Sequence, residues 1–182
     1  MTENYKDLEE IVRRCYSEFC LENGIEELNN LEATSYSWLE ESGSAGILAS
    51  LSFAGDSAQG TIYLGCSEEF LNKTHPMVQM GAEVSKDDLK DWSGEICNQL
   101  VGRLKNILLK SGVQVSLSVP QVFIGSDFSL SYNKSLKSSS FRNTSDDTMF
   151  LAIYSHLDQN ISLSYQEEEN VEIATEGDAI LF

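Results

Sequence analysis

The chain has 182 residues, and its 12 Lys and Arg stand against 29 Asp and Glu for a net charge of −17. That length fits one domain around a real core and leaves little room for two. The acidic field repels phosphate backbones, which argues against nucleic-acid binding, but it can steer a protein with a basic face.

The N-terminus is polar and acidic, without an apolar run of the signal-peptide type. No stretch approaches the ~20 apolar residues that span a membrane, so the expectation is a cytoplasmic protein with no membrane partner. Residues 5–23 read as an amphipathic helix, with Leu8, Ile11, Val12, Cys15, Tyr16, Phe19 and Cys20 at helical spacing and Gly24 as its stop. Residues 25–46 are acidic and poorly patterned. ILASLSF at 47–53 and TIYLGC at 61–66 read as two strands, and Gly55, Asp56 and Gly60 between them suit a hairpin. Ser67, followed by two glutamates, can start a short helix that Pro76 ends.

Ser85 is an N-cap candidate for a long helix over 86–111, with Asp88 three residues on and Gly112 as its stop. Strands follow at 113–119, 122–125, 127–132, 148–157 and 160–166, several alternating apolar with polar. Residues 133–147 form a polar, Ser-rich loop in which Lys134, Lys137 and Arg142 solvate the chain. Residues 1–166 are expected to form the domain, with 167–182 an acidic tail ending in Ile180, Leu181 and Phe182. Helices followed by a block of strands imply an α+β fold: a mainly antiparallel sheet with long helices on one face.

Cys15, Cys20, Cys66 and Cys97 contain no CxxC pair, and only His75 and His156 could join them. Zinc is therefore a poor fit, and the cysteines read as reduced core residues. The two histidines are isolated, which suits core or surface roles better than ligation.

On a wheel of about 100° per residue, Leu89, Trp92, Ile96, Cys97, Leu100, Val101, Leu104, Ile107 and Leu108 share one arc of the long helix. Asp91, Glu95, Asn98 and Gly102 fall opposite, spaced four, three and four residues apart, as one stripe facing water. A glycine inside an exposed helix costs ~1 kcal/mol relative to alanine. It suits close approach by another surface; otherwise the glycine is simply tolerated, or another element of the same chain packs there. A carboxylate and an amide without a pocket suit an enzyme whose substrate is a protein that brings most of the active site. Asn can orient a water, and Glu can pair with a partner's lysine. With no His in the stripe, Ser-His-Asp chemistry finds no support.

The segment DWSGEICNQLVGRLKNILLKSGVQVSLSVPQVFIG resembles the CheX/CheC family of chemotaxis phosphatases. Its mark is Asp or Ser, then Glu four residues later, Asn three after that, and a proline about two dozen residues downstream. Asp91, Glu95, Asn98 and Pro120 occupy those positions, and Gly102 also looks like the family. Glu-x-x-Asn alone means little, because the chain holds it five times; only the 95/98 copy has Asp or Ser four residues earlier. One complete motif resembles the single-site CheX type more than two-site CheC. The resemblance implies hydrolysis of the aspartyl phosphate on a CheY-type receiver. Asn98 would position the attacking water, and Glu95 would pair with the receiver's lysine. Asp91 and Gly102 would support partner contact. The receiver would supply the phosphoaspartate and Mg²⁺, so this chain need bind no cofactor or metal. The resemblance also implies a homodimer joined at sheet edges. The alternative is a catalytically silent module that binds a receiver or a flagellar or chemoreceptor component.

Overall fold

The structure is a computed structural model, and it describes residues 2–5, 8–23, 31–33, 46–125, 137–143, 149–161 and 163–166. The expected strand at 127–132, the helix stop at Gly24, Lys134 and the acidic tail lie outside the described residues.

Helix α1 (Leu8–Glu22) buries each of the seven residues that the helical spacing singles out. Before it, β1 (Thr2–Tyr5) pairs with β9 (Leu163–Gln166), joining the two described ends of the chain in a two-stranded sheet. The main sheet has seven strands. They are β2 (Leu31–Ala33), β3 (Ile47–Ala54), β4 (Ala58–Cys66), β5 (Ser116–Leu117), β6 (Gln121–Ile124), β7 (Lys137–Asn143) and β8 (Met149–Leu157). Their order is β2-β7-β8-β4-β3-β5, with β6 also paired to β3, and every pairing is antiparallel. Helices α2 (Glu68–Thr74), α3 (Pro76–Gln79) and α4 (Lys86–Lys110) complete the α+β architecture.

Helices α1 and α4 cover one face of the sheet, where Ile47, Ala49, Leu51, Ile62, Leu64, Leu151 and Ile153 join their apolar arcs in a single core. Strand β8 is also buried on its other face, at Phe150, Ala152 and Tyr154, so its sequence is a continuous apolar run rather than an alternation.

Local chemistry sets the element ends. Ser67 Oγ accepts the Phe70 N–H at 3.0 Å to open α2. Ser85 and Asp88 form a reciprocal capping box on α4: the Asp88 N–H reaches Ser85 Oγ at 3.2 Å, and the Ser85 N–H reaches Asp88 Oδ2 at 2.7 Å. The Ser85 donors hold the Asp88 carboxyl below its ordinary value. Gly112, at φ +80°, closes α4 with the Gly112 N–H on Leu109 O at 3.0 Å and the Val113 N–H on Leu108 O at 2.8 Å. That pair of bonds is a Schellman end, which requires the left-handed backbone glycine tolerates.

Three expectations need correction. The Ser-rich segment 133–147 is not all loop, because residues 137–143 form β7 between β2 and β8. Serines have weak strand preference, but the open backbone edge of β8 supplies a ladder that local composition does not reveal. Gly60 is not a turn residue. The turn closes earlier, with the Gly55 N–H on Ala58 O at 2.8 Å, and Gly60 pairs with Phe53 inside the sheet. A Cβ on Gly60 would lie 2.6 Å from both Phe53 Cζ and Tyr154 O, so glycine serves close packing there. The strand expected over 113–119 narrows to Ser116–Leu117, since Val113 and Val115 are drawn into the core.

Candidate functional site

Helix α4 carries the site. All nine residues of its apolar arc are buried, and Ser93 and Gly94 are buried with them. Its first half is fixed from two sides. Trp92 Nε1–H donates to Thr74 Oγ1 at 3.0 Å, and its ring leans on His75 and Phe19 at centroid distances of 5.6 and 6.4 Å. Thr74 passes the tie to α2 by donating to Phe70 O at 3.0 Å. Behind the stripe, Arg103 forms a two-pronged ion pair with Glu22 at the end of α1, and the guanidinium holds that carboxyl below its ordinary value. His75 caps α3 by accepting the Met77 N–H on Nδ1 at 3.1 Å, while exposed His156 sits 3.2 Å from Asp158.

On this fixed helix Asp91, Glu95 and Asn98 are exposed, and Gly102 is half-buried. Among the described residues nothing covers the stripe at its glycine: a Cβ placed on Gly102 would meet nothing within 4 Å. Glu95 Oε1 accepts a hydrogen bond from Gln99 Nε2 at 2.9 Å, one turn on, which restrains the carboxylate along the helix. Gln99 did not stand out in the sequence, although its i,i+4 spacing from Glu95 is the signal that finds it.

The second missed feature is how Pro120 reaches the site. Strands β5 and β6 are two halves of one sheet edge along β3. Phe53 pairs with Leu117 and Ser50 with Gln121, so Leu51 and Ser52 face three residues, Ser118, Val119 and Pro120. This is a one-residue bulge. Ser118 repairs the ladder there: its N–H donates to Ser52 O at 2.9 Å, and its Oγ accepts the Ser52 N–H at 3.0 Å. Pro120, which has no N–H to lose, is tolerated in such an edge. It is carried against α4 where Gly94 leaves room, for a Cβ on Gly94 would sit 3.3 Å from Val122 Cγ2 and 3.9 Å from Pro120 Cβ. Gly94 immediately precedes Glu95, so the proline rests beside the stripe, with Val119 exposed next to it. No grouping of three or more His, Cys, Asp or Glu able to hold a metal occurs among the described residues. No helix among them is long and apolar enough to cross a membrane.

The four cysteines are thiols outside any disulfide, and all are buried. Burial pushes Cys15 and Cys97 up to about 12 and Cys20 up to about 11, and it moves Cys66 well above its ordinary value. Such thiols pack as small apolar groups and offer no nucleophile.

The chemotaxis phosphatase CheX family model matches residues 47–143, more than half of the chain, and that span contains the whole stripe. No curated protein matches by sequence. Among solved structures, a CheC-like superfamily protein from Shewanella sp. PV-4 is similar at TM-score 0.65 and 13% identity, covering 84% of this chain and 99% of its own. The chemotaxis protein CheX from Vibrio vulnificus is similar at TM-score 0.61 and 16% identity, covering 82% and 99%. The structure of a CheX–CheY–BeF3–Mg²⁺ complex from Borrelia burgdorferi is similar at TM-score 0.60 and 15% identity, covering 85% and 99%.

Proposed function

The chain belongs to the CheX family of chemotaxis phosphatases, and on that premise we propose that it hydrolyses the aspartyl phosphate of a CheY-type receiver. The observation that carries the reading is the exposure of Glu95 and Asn98 on a helix otherwise committed to the core. Two polar groups on a helix surface form half an active site, and a docking protein supplies the other half. A protein similar to this one in fold has been crystallised with CheY, beryllofluoride and Mg²⁺, and the reading carries that arrangement over.

In this mechanism the receiver brings the phosphoaspartate, its lysine and Mg²⁺. Asn98 enters the receiver's site, where its carboxamide oxygen accepts a hydrogen bond from the attacking water and its amide N–H donates to a phosphoryl oxygen. The water oxygen forms the new bond to phosphorus as the bond to the aspartyl oxygen breaks, giving free phosphate and the receiver carboxylate. Alignment of the water is the main contribution this chain makes, since phosphoryl transfer depends on positioning and electrostatics. Glu95, held by Gln99, pairs with the receiver's lysine and sets the register. Exposed, such a pair is worth little; it strengthens once docking expels water. Asp91 supports the contact at one end of the stripe, and Gly102 allows close approach at the other.

The test is phosphate release from CheY-type receivers of the same genome, each phosphorylated by a small-molecule donor. The protein is expected to accelerate release, and Asn98→Ala to abolish the acceleration with the fold intact. Receiver decay that is unchanged by the protein refutes the reading. Binding without acceleration points instead to a silent receiver-binding module.

A further inference from the structure

One side chain away from the stripe joins three helices. His75 closes α2, where its N–H reaches Asn72 O at 3.4 Å, and opens α3, where its Nδ1 accepts the Met77 N–H at 3.1 Å. Its ring lies 5.6 Å from that of Trp92 on α4, and the residue is 8% exposed. Among the described residues its side chain makes no hydrogen bond besides the one at Nδ1. A ring nitrogen that accepts carries no proton, so this arrangement selects the neutral imidazole with its proton on Nε2. A second proton would set an Nδ1–H against the Met77 N–H, donor against donor, and the cap would be lost. Ser67 and Ser85, which open α2 and α4, have no such response, because a hydroxyl oxygen accepts at any pH near neutral.

A charged ring has a second partner within reach. The Asp88 carboxyl, held low by the Ser85 hydroxyl and N–H, is lowered further by charge on His75, so the two groups lie within electrostatic range. Both Ser85 bonds end on Asp88 Oδ2, at 2.7 Å each, which leaves Oδ1 for another donor. An imidazolium can therefore pair with Asp88 without dismantling the capping box of α4, and the Trp92 ring adds attraction for a cation. The other charges on the surrounding elements are engaged or turned to water. On α2, Glu68 is paired with Lys86, while Glu69 and Lys73 are exposed. On α4, Asp87 is paired with Lys90, and Asp91 belongs to the exposed stripe. Helix α3 carries no charged side chain.

We propose that His75 is a proton-operated latch with two positions: neutral, it caps α3 at Met77; charged, it leaves that amide and pairs with Asp88 Oδ1. Imidazoles change charge between about pH 5 and 8, so mild acidification is the signal. What the latch moves is the link between α2 and α4. Met77 and Met80, 48% and 79% exposed, ride on α3, so the surface they present changes while α4 keeps its capping box. The inference stands independently of the receiver-phosphatase reading.

The experiment uses NMR on the isotope-labelled full chain at about pH 7.5 and about pH 5, either side of the imidazole range. Hydrogen-exchange protection of the Met77 amide, corrected for the intrinsic rate at each pH, is expected to fall about fivefold on acidification, the change that loss of a typical N-cap produces. The ring nitrogen shifts of His75 should show Nδ1 unprotonated at the higher pH and protonated at the lower. His75→Asn supplies a capping oxygen that does not titrate, so its Met77 amide should hold its protection within about twofold. His156→Asn, at an exposed site, should respond like the parent chain. Asp88→Asn keeps an oxygen for the cap but removes the charge, and it should need a lower pH for the same change. A Met77 amide with equal protection at both pH values overturns the proposal, as does a response that survives in His75→Asn or a proton on Nδ1 at the higher pH. A response left unmoved by Asp88→Asn overturns the second position. If thermal unfolding shows that His75→Asn is not folded, the ring shifts and the Met77 exchange of the parent chain still decide.

Discussion

Replacement of Gly102 by alanine should make the protein more stable and worse at its task. A Cβ at this position meets nothing within 4 Å, so the methyl group creates no clash in the free chain. Glycine in a helix interior is less favourable than alanine by ~1 kcal/mol, chiefly through backbone entropy lost on folding. The whole of that difference should appear as added stability, raising the melting temperature by roughly 2–4 °C for a chain of this size. The docked state reverses the sign. A methyl group inserted into a close contact costs ~1–3 kcal/mol, which corresponds to a receiver affinity weakened by roughly 5- to 150-fold. Urea unfolding gives the first quantity, and titration with the beryllofluoride-loaded receiver gives the second. A variant no more stable than its parent would mean that Gly102 is held by its own chain. A more stable variant that binds the receiver equally well would remove the reason for the glycine.

Two further outcomes follow from the packing. Gly55→Ala should destabilise the protein, because the new methyl would overlap Gln114 O; chemical unfolding should show a loss of roughly 1–3 kcal/mol. The four thiols should react slowly with a disulfide reagent at pH 8 in the native state and quickly once unfolded. Their raised values in the fold also fix a pH dependence. An unfolded thiol ionises near 9.0 and the folded Cys15 and Cys97 near 12, so stability is full below about pH 9 and falls as pH rises toward 12. Melting temperatures that rise across that interval would contradict the burial of these thiols.

Most of the helices and much of the sheet were legible in the sequence because their signals are local. Ser85 and Asp88 cap α4 with groups three residues apart, Gly112 ends it with a left-handed backbone, and the wheel separates Leu89 and Ile96 from Glu95 and Asn98. Such features depend on helix geometry, which the spacing of residues carries directly. The family was legible for the same reason: its motif is a spacing along one helix followed by a proline.

What the tertiary structure alone decided is where separate segments meet. The strand at Lys137–Asn143 exists because β8 offers it an edge, which its serines do not announce. Gly60 and Gly94 serve neighbours distant in sequence, Tyr154 for one and Val122 with Pro120 for the other. The bulge that carries Pro120 to the stripe appears only in the register against β3. The exposed strip itself belongs to both levels. Sequence periodicity put Asp91, Glu95, Asn98 and Gly102 on one line, but an open face and a face covered by the same chain have the same periodicity. Only the packing around α4 shows that the described residues leave that line uncovered.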